Sequence, residues 1–169
     1  MSKFNLGLLL LVVGSLYITA ATAASVDLNP TADGDVQTFG GASVETANKC
    51  VSFTQSGGLA RKGVLEFDLS STADGSTVTA ARLDLTLVRF VSNTGSNPAA
   101  IHLFAYAGDG IVDITDFDAV ATEVFSGTTA HGGSAGDVRS FDLTDLLPLN
   151  NALAGNLLTL RIETDSFAS

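Results

Sequence analysis

Apolar and polar residues alternate with a period of two over much of the chain. In GVLEFDLS, Leu65, Phe67 and Leu69 alternate with Glu66 and Asp68; in ARLDLTL, Leu83, Leu85 and Leu87 alternate with Arg82, Asp84 and Thr86. In NLLTLRIE, Leu158, Leu160 and Ile162 alternate with Thr159, Arg161 and Glu163. Successive side chains of a strand point to opposite faces, so each segment predicts a strand with an inward apolar face and a wet one. The clusters GSTVT, TGSNP, AGDG and HGGSAGD supply turns at short intervals. Many short strands punctuated in this way predict an all-β fold, an antiparallel sandwich. One helical turn is expected in FDLTDLLPLNNALAG, with Thr144 as cap, Gly155 as stop and Pro148 limiting its length.

The N-terminus departs from this pattern. Lys3 precedes the apolar run LGLLLLVVGSLYI, and Ala21-Thr22-Ala23 offers small residues for cleavage. The run is shorter than the ~20 residues of a spanning helix and has no stop-transfer pattern after it. It reads as a secretory signal peptide, residues 1–23, followed by a single domain over 24–169 and no membrane span in the mature chain. Export to the extracellular space is the expectation.

Charge narrows the partners. The net charge of −10 becomes −11 when Lys3 is removed, and such a surface repels nucleic acid phosphates and anionic lipid. Cys50 is the single cysteine, so no intramolecular disulfide forms; its neighbours Val51 and Phe53 alternate as on a strand.

RKGVLEFDLSS and GSTVTAARLDLTL, residues 61–71 and 75–87, together resemble the core signature of DNRLRE-type domains, also classed as carbohydrate-binding module family 96 and related to disaggregatase repeats. The resemblance is carried by the Leu-x-Phe-Asp-Leu-Ser strand and by Gly75, Thr77, Val78, Ala81, Leu83 and Leu85. It extends with gaps from about Ala32 to Phe167. Ala32-Asp33-Gly34-Asp35-Val36 fits the opening segment of the family, but the Asn-Tyr-Gly turn that usually follows is missing. Family members also continue into a closing strand where this chain ends at DSFAS, so the sequence reads as a fragment with one open edge. The resemblance implies a jelly-roll-like β-sandwich on a secreted protein that binds polysaccharide, acidic algal polymers included, and does not turn it over.

AGDGIVDITDF, residues 107–117, is the main candidate metal segment. Calcium takes six to eight oxygens, and an EF-type loop supplies them at positions 1, 3, 5, 7, 9 and 12 with Gly at 6. With Gly110 at position 6, Asp109, Asp113 and Asp116 fall at 5, 9 and 12, but Ala105 and Ala107 fall at 1 and 3 and cannot ligate. The preceding IHLFAY is also strand-like, not helical. Two readings stay open: turn-supporting aspartates, or a non-EF calcium site, with Asp33 and Asp35 as further candidates. No cofactor is required; structural calcium is the one ion the sequence leaves room for.

Catalytic groups are sparse. His102 and His131 are the only imidazoles, and with one cysteine they give no zinc-ligand spacing. No nucleophile, base and orienter can be assembled, so no enzyme is expected. His102, Phe104 and Tyr106 share one strand face opposite Ile101, Leu103 and Ala105, a polar-aromatic stripe on which sugar rings can stack, unless the register is reversed or a loop covers it. Arg61, Lys62 and Arg82, with Arg89, lie around the signature strands and could grip a uronate, or pair with Glu66, Asp68 and Asp84. The expected function is a non-catalytic carbohydrate-binding module; the alternative is a structural or adhesive surface domain joined to other domains or surface proteins.

Overall fold

The computed structural model describes residues 9–20, 25–38, 41–46, 50–55, 59–72, 75–91, 99–129 and 134–164. The expected cleavage site Ala21-Thr22-Ala23, His131 and the terminal DSFAS lie outside them. Among the described residues, eleven antiparallel strands are formed: β1 (Leu9–Ala20), β2 (Ser25–Leu28), β3 (Ala32–Gln37), β4 (Ser43–Glu45), β5 (Cys50–Gln55), β6 (Leu59–Asp68), β7 (Val78–Val91), β8 (Ala99–Ala107), β9 (Thr122–Thr129), β10 (Val138–Asp142) and β11 (Leu157–Thr164). A 3-10 turn, Ile114–Phe117, and one short helix, α1 (Leu147–Ala152), complete the set. No helix among the described residues is long and apolar enough to cross a membrane.

The strands form two antiparallel sheets, an all-β sandwich as the alternation predicts. One sheet runs β10-β7-β1, with β2 beside the end of β1; the other runs β6-β11-β8-β9, with β3 and β4 beyond β6. The strand β5 joins them, pairing with β1 through Cys50–Ser52 and with β6 through Phe53–Gln55.

All nine residues of the expected inward faces, Leu65, Phe67, Leu69, Leu83, Leu85, Leu87, Leu158, Leu160 and Ile162, are buried in one core cluster. Leu103 joins them from β8, and Leu16 and Ile18 from β1. The apolar run expected as the heart of a signal peptide is thus the strand β1, paired with β7 from Leu9↔Val91 to Ala20↔Val78. Its second half, Gly-Ser-Leu-Tyr-Ile, carries a period-two pattern of its own.

The wet face needs correction. Asp68 is exposed, but Glu66, Thr159 and Arg161, on the face opposite the core, are also buried. The loop between β8 and β9 folds back over this outer face. Its Val112 packs with Val36 and Val64, flanked by Ala32 and Phe117, as a second small apolar cluster. Alternation reports which side chains share a face; it does not report what a distant loop lays over that face.

The helix ends also differ from expectation. Thr144 donates its hydroxyl to the Val124 carbonyl at 3.1 Å and does not cap α1. Asp145 Oδ1 accepts from Leu147 N at 3.0 Å in the turn that leads into the helix, whose N-cap residue, Leu146, makes no side-chain cap bond. After the helix, Asn156, not Gly155, takes the left-handed conformation at φ 58°, which Asn tolerates better than other side chains.

Candidate functional site

The outer face of the second sheet is a grid of rows crossing β6, β11 and β8. Glu66, Thr159 and Tyr106 form the first row, Val64, Arg161 and Phe104 the second. The third holds Lys62, Glu163 and His102, continued on β9 by Ser126. The stripe His102, Phe104 and Tyr106 therefore lies on the outer side, and Ile101, Leu103 and Ala105 are in the core. The register was legible from the alternation; Arg161 and the carboxylates around the stripe were not singled out.

The three stripe residues have different surroundings. Tyr106 is fastened under the loop, its hydroxyl donating to Asp116 Oδ1 at 2.7 Å. Burial first and the Asp116 bond second raise its phenol pKa. Phe104 and His102 lie 6.4 Å apart with rings 24° from parallel. The Arg161 guanidinium sits 5.4 Å from the Phe104 centroid and 5.9 Å from that of Tyr106, within cation–π range. Arg161 also donates to the carbonyls of Asp116 and Ala119, both at 2.9 Å, and pairs with Glu163 at 2.8 Å. The guanidinium thus ties the loop to the sheet. Beside Tyr106, a groove of about 300 Å³ opens between Ala107, Val120 and Ala121 on one side and Leu147 and Pro148 on the other.

The aspartates of the loop perform local backbone work. Asp109 Oδ1 accepts from Ile111 N at 2.9 Å. Asp113 Oδ1 accepts from the Thr115 amide and hydroxyl, at 2.7 and 2.6 Å, and these bonds, the hydroxyl's first, lower its pKa. Asp116 Oδ2 accepts from Asp113 N at 2.8 Å, closing a reciprocal capping box around the 3-10 turn. Burial raises the pKa of Asp116.

Glu66 is the residue that the sequence reading took for solvated and that the fold encloses. Its carboxylate accepts from Thr159 Oγ1 at 2.5 Å and from Gly110 N at 3.3 Å. Burial outweighs these bonds and pushes its pKa up to about 7, helped by the negative charges of Asp116 and Asp109. Gly108 packs directly on it: a Cβ there would overlap Glu66 Oε2 and Thr159 Oγ1.

The other acidic pair lies elsewhere. Asp33 and Asp35 are on β3, opposite Leu65 and Gly63 of β6. Asp35 is buried beside Arg61, Nε to Oδ2 3.1 Å, yet desolvation outweighs that cation and lifts its pKa to about 6. Burial also raises Asp33. Among the described residues, no three His, Cys, Asp or Glu side chains come together in a way that could hold a metal ion.

Arg61, Lys62 and Arg82 do not converge. Arg61 is held by Asp35 and Gln37, with Glu45 at 3.4 Å; Lys62 pairs with Glu163 at 3.3 Å and donates to the Phe117 carbonyl at 2.6 Å. Arg82, on the other sheet, pairs with Asp84 of its own strand at 3.1 Å and stacks 5.0 Å from the Tyr17 ring. The expected partners Glu66 and Asp68 take part in none of these pairs. Neighbours in sequence on adjacent strand positions point to opposite faces, which separates Arg61 from Lys62.

His102 offers one more arrangement to test. Glu123 Oε1 and Ser126 Oγ approach the same ring nitrogen, Nδ1, at 2.5 and 3.3 Å. A serine-histidine-acid relay needs the serine and the acid on opposite nitrogens, so these three residues are not arranged as that relay.

Comparison of the chain with protein-family models, with curated proteins and with solved structures matched none of them.

Proposed function

We propose that this is a secreted, non-catalytic carbohydrate-binding module for an extracellular polysaccharide. One observation carries the reading: His102 and Phe104 stack on the outward face of a sheet whose opposite face is the core. Glu123, Ser126 and Glu163 border that stack with hydrogen-bonding groups. A sugar ring has an apolar face for the aromatic and hydroxyls for the carboxylates. The resemblance to a binding family with a jelly-roll-like sandwich supports the same conclusion. Because the three basic candidates are spent in separate ion pairs, the face suits a neutral glycan better than a uronate polymer.

The test is retention on affinity gels of neutral glucans, alginate and pectin. The native chain should be retarded by a neutral polymer, and Phe104→Ala with His102→Ala should abolish the retardation while the chain keeps its β-sheet circular dichroism at the assay temperature. A second reading is a structural or adhesive domain, favoured by the same consumption of Arg61, Lys62 and Arg82 in internal pairs. It requires no retention on any polymer.

A further inference from the structure

The channel that β1 fills has the features of a binding site for an extended peptide. It lies between β7 and β5: β1 pairs along the length of β7 on one side, and on the other its first part pairs with β5 and its last part with β2. Gly14, Leu16 and Ile18 face inward and are buried, whereas Ser15 and Tyr17 are partly open. The fit is specific at Gly14. A Cβ there would lie 3.1 Å from both Leu65 Cδ1 and Leu85 Cδ2, so the two sheets close over a position that has no side chain. The segment that reads as an apolar leader thus also carries the alternation Gly14, Leu16, Ile18 that the core contacts require. The sequence therefore satisfies two demands in one segment, an apolar run for export and a small-x-Leu-x-Ile strand for the core.

We infer that the β7–β5 channel is a strand-acceptor site that works in trans: when the bond after Ala23 is cut, it binds an extended segment antiparallel to β7 with a small residue, Leu and Ile at alternate positions. Main-chain hydrogen bonds to β7 supply affinity, and the pockets for alternate side chains supply selectivity. The segment seated in it, Leu9–Ala20, defines the ligand class. This inference does not depend on the glycan reading, and its test involves no sugar.

The full chain is prepared with a specific protease site replacing residues 21–24, folded, and then cut. The two pieces should co-migrate in gel filtration under native conditions. A fluorescent peptide of residues 9–20 with a solubilising lysine tail should then exchange into the cut protein at one per chain. The same peptide with Leu16→Asp and Ile18→Asp should compete at least ~100-fold more weakly. A Gly14→Val peptide, more apolar and more β-prone than the native one, should also be weakened, because the valine meets Leu65 and Leu85. Equal exchange of the Gly14→Val and native peptides would overturn the inference, since hydrophobicity alone would then govern binding. So would release of the N-terminal piece from a remainder that keeps its β-sheet circular dichroism and its melting temperature. Hydrogen exchange on the uncut chain is an independent check: amides of residues 9–20 should be protected as strongly as those of β7, and rapid exchange there would refute the strand.

Discussion

The Tyr106 hydroxyl and Asp116 Oδ1 meet at 2.7 Å and fasten the loop between β8 and β9 to the outer face of the sandwich. Tyr106→Phe deletes the donor and leaves a buried carboxylate oxygen without it. The expected cost is about 1–2 kcal/mol, measured by urea unfolding. The loop should loosen first, so the amides of residues 112–117 should exchange faster than those of β11. Uniform acceleration across the sandwich would contradict this picture of a locally pinned loop.

Stability should fall as pH rises from about 4.5 to about 7. Glu66 goes from an ordinary value of 4.5 to about 7 on folding, so within that window the native state keeps a proton that the unfolded chain has released. The native state then binds more protons, and the slope of unfolding free energy against pH is negative. At 1.36 kcal/mol per unit the upper limit is about 3 kcal/mol. Asp35, raised to about 6, acts with the same sign over a lower range. Asp68 and Asp113 are shifted downward, so they act only in stronger acid, where stability falls as they protonate. Melting temperatures from pH 4.5 to 8 should therefore decline, and Glu66→Gln should flatten the decline. A native profile that rises over this range would refute the enclosed carboxyl.

Gly108→Ala should be more damaging than its exposure suggests. The added methyl group enters the space of Glu66 Oε2 and Thr159 Oγ1, beneath the amide of Gly110 that also contacts Glu66. Overpacking of this kind costs about 1–3 kcal/mol. Gly136→Val is a useful contrast: no atom lies within 4 Å of a Cβ there, so its only cost comes from the φ of +95°. Thermal melts of the two variants distinguish steric overlap from backbone strain.

Calcium should leave the melting temperature where equal ionic strength of a monovalent salt leaves it. Asp109, Asp113 and Asp116 each accept a hydrogen bond from a backbone amide of their own loop, and no metal-holding cluster forms among the described residues. Asp113→Ala should lower the melting temperature by removing the cap of the 3-10 turn, and millimolar calcium should not change the size of that loss. A calcium-dependent rise in the native protein, abolished in Asp113→Ala, would instead identify these oxygens as ligands and link ion binding to the fold.

The inward set of leucines was readable because a period of two is fixed by strand geometry and needs no knowledge of neighbours. For the same reason the outward direction of His102, Phe104 and Tyr106 could be read from Ile101, Leu103 and Ala105. The burial of Glu66 could not, since it depends on Gly108 and Gly110, more than forty positions away in the chain. Of the two readings of Arg61, Lys62 and Arg82, ion pairing describes their surroundings, but only Asp84 among the expected partners takes part; Asp35 and Glu163 could not be named, because Arg61 and Lys62 project from opposite sides of one strand onto neighbours set by the fold. Leu9–Ala20 had two legible patterns, and the stronger one, its apolar run, hid the alternation in its second half.

The pairing of β1 with β7 has a consequence in time. A ribosome adds about 5–20 residues per second, so on the order of ten seconds separate the synthesis of Ala20 from that of Val91, where the partner strand ends. Throughout that interval Leu16 and Ile18 have no completed core to enter, and the apolar segment around them stays without its partner strand. The strand β1 is therefore made first and seated late: it can take its place between the sheets only after β7 has been made, although its residues are the first of the core to exist.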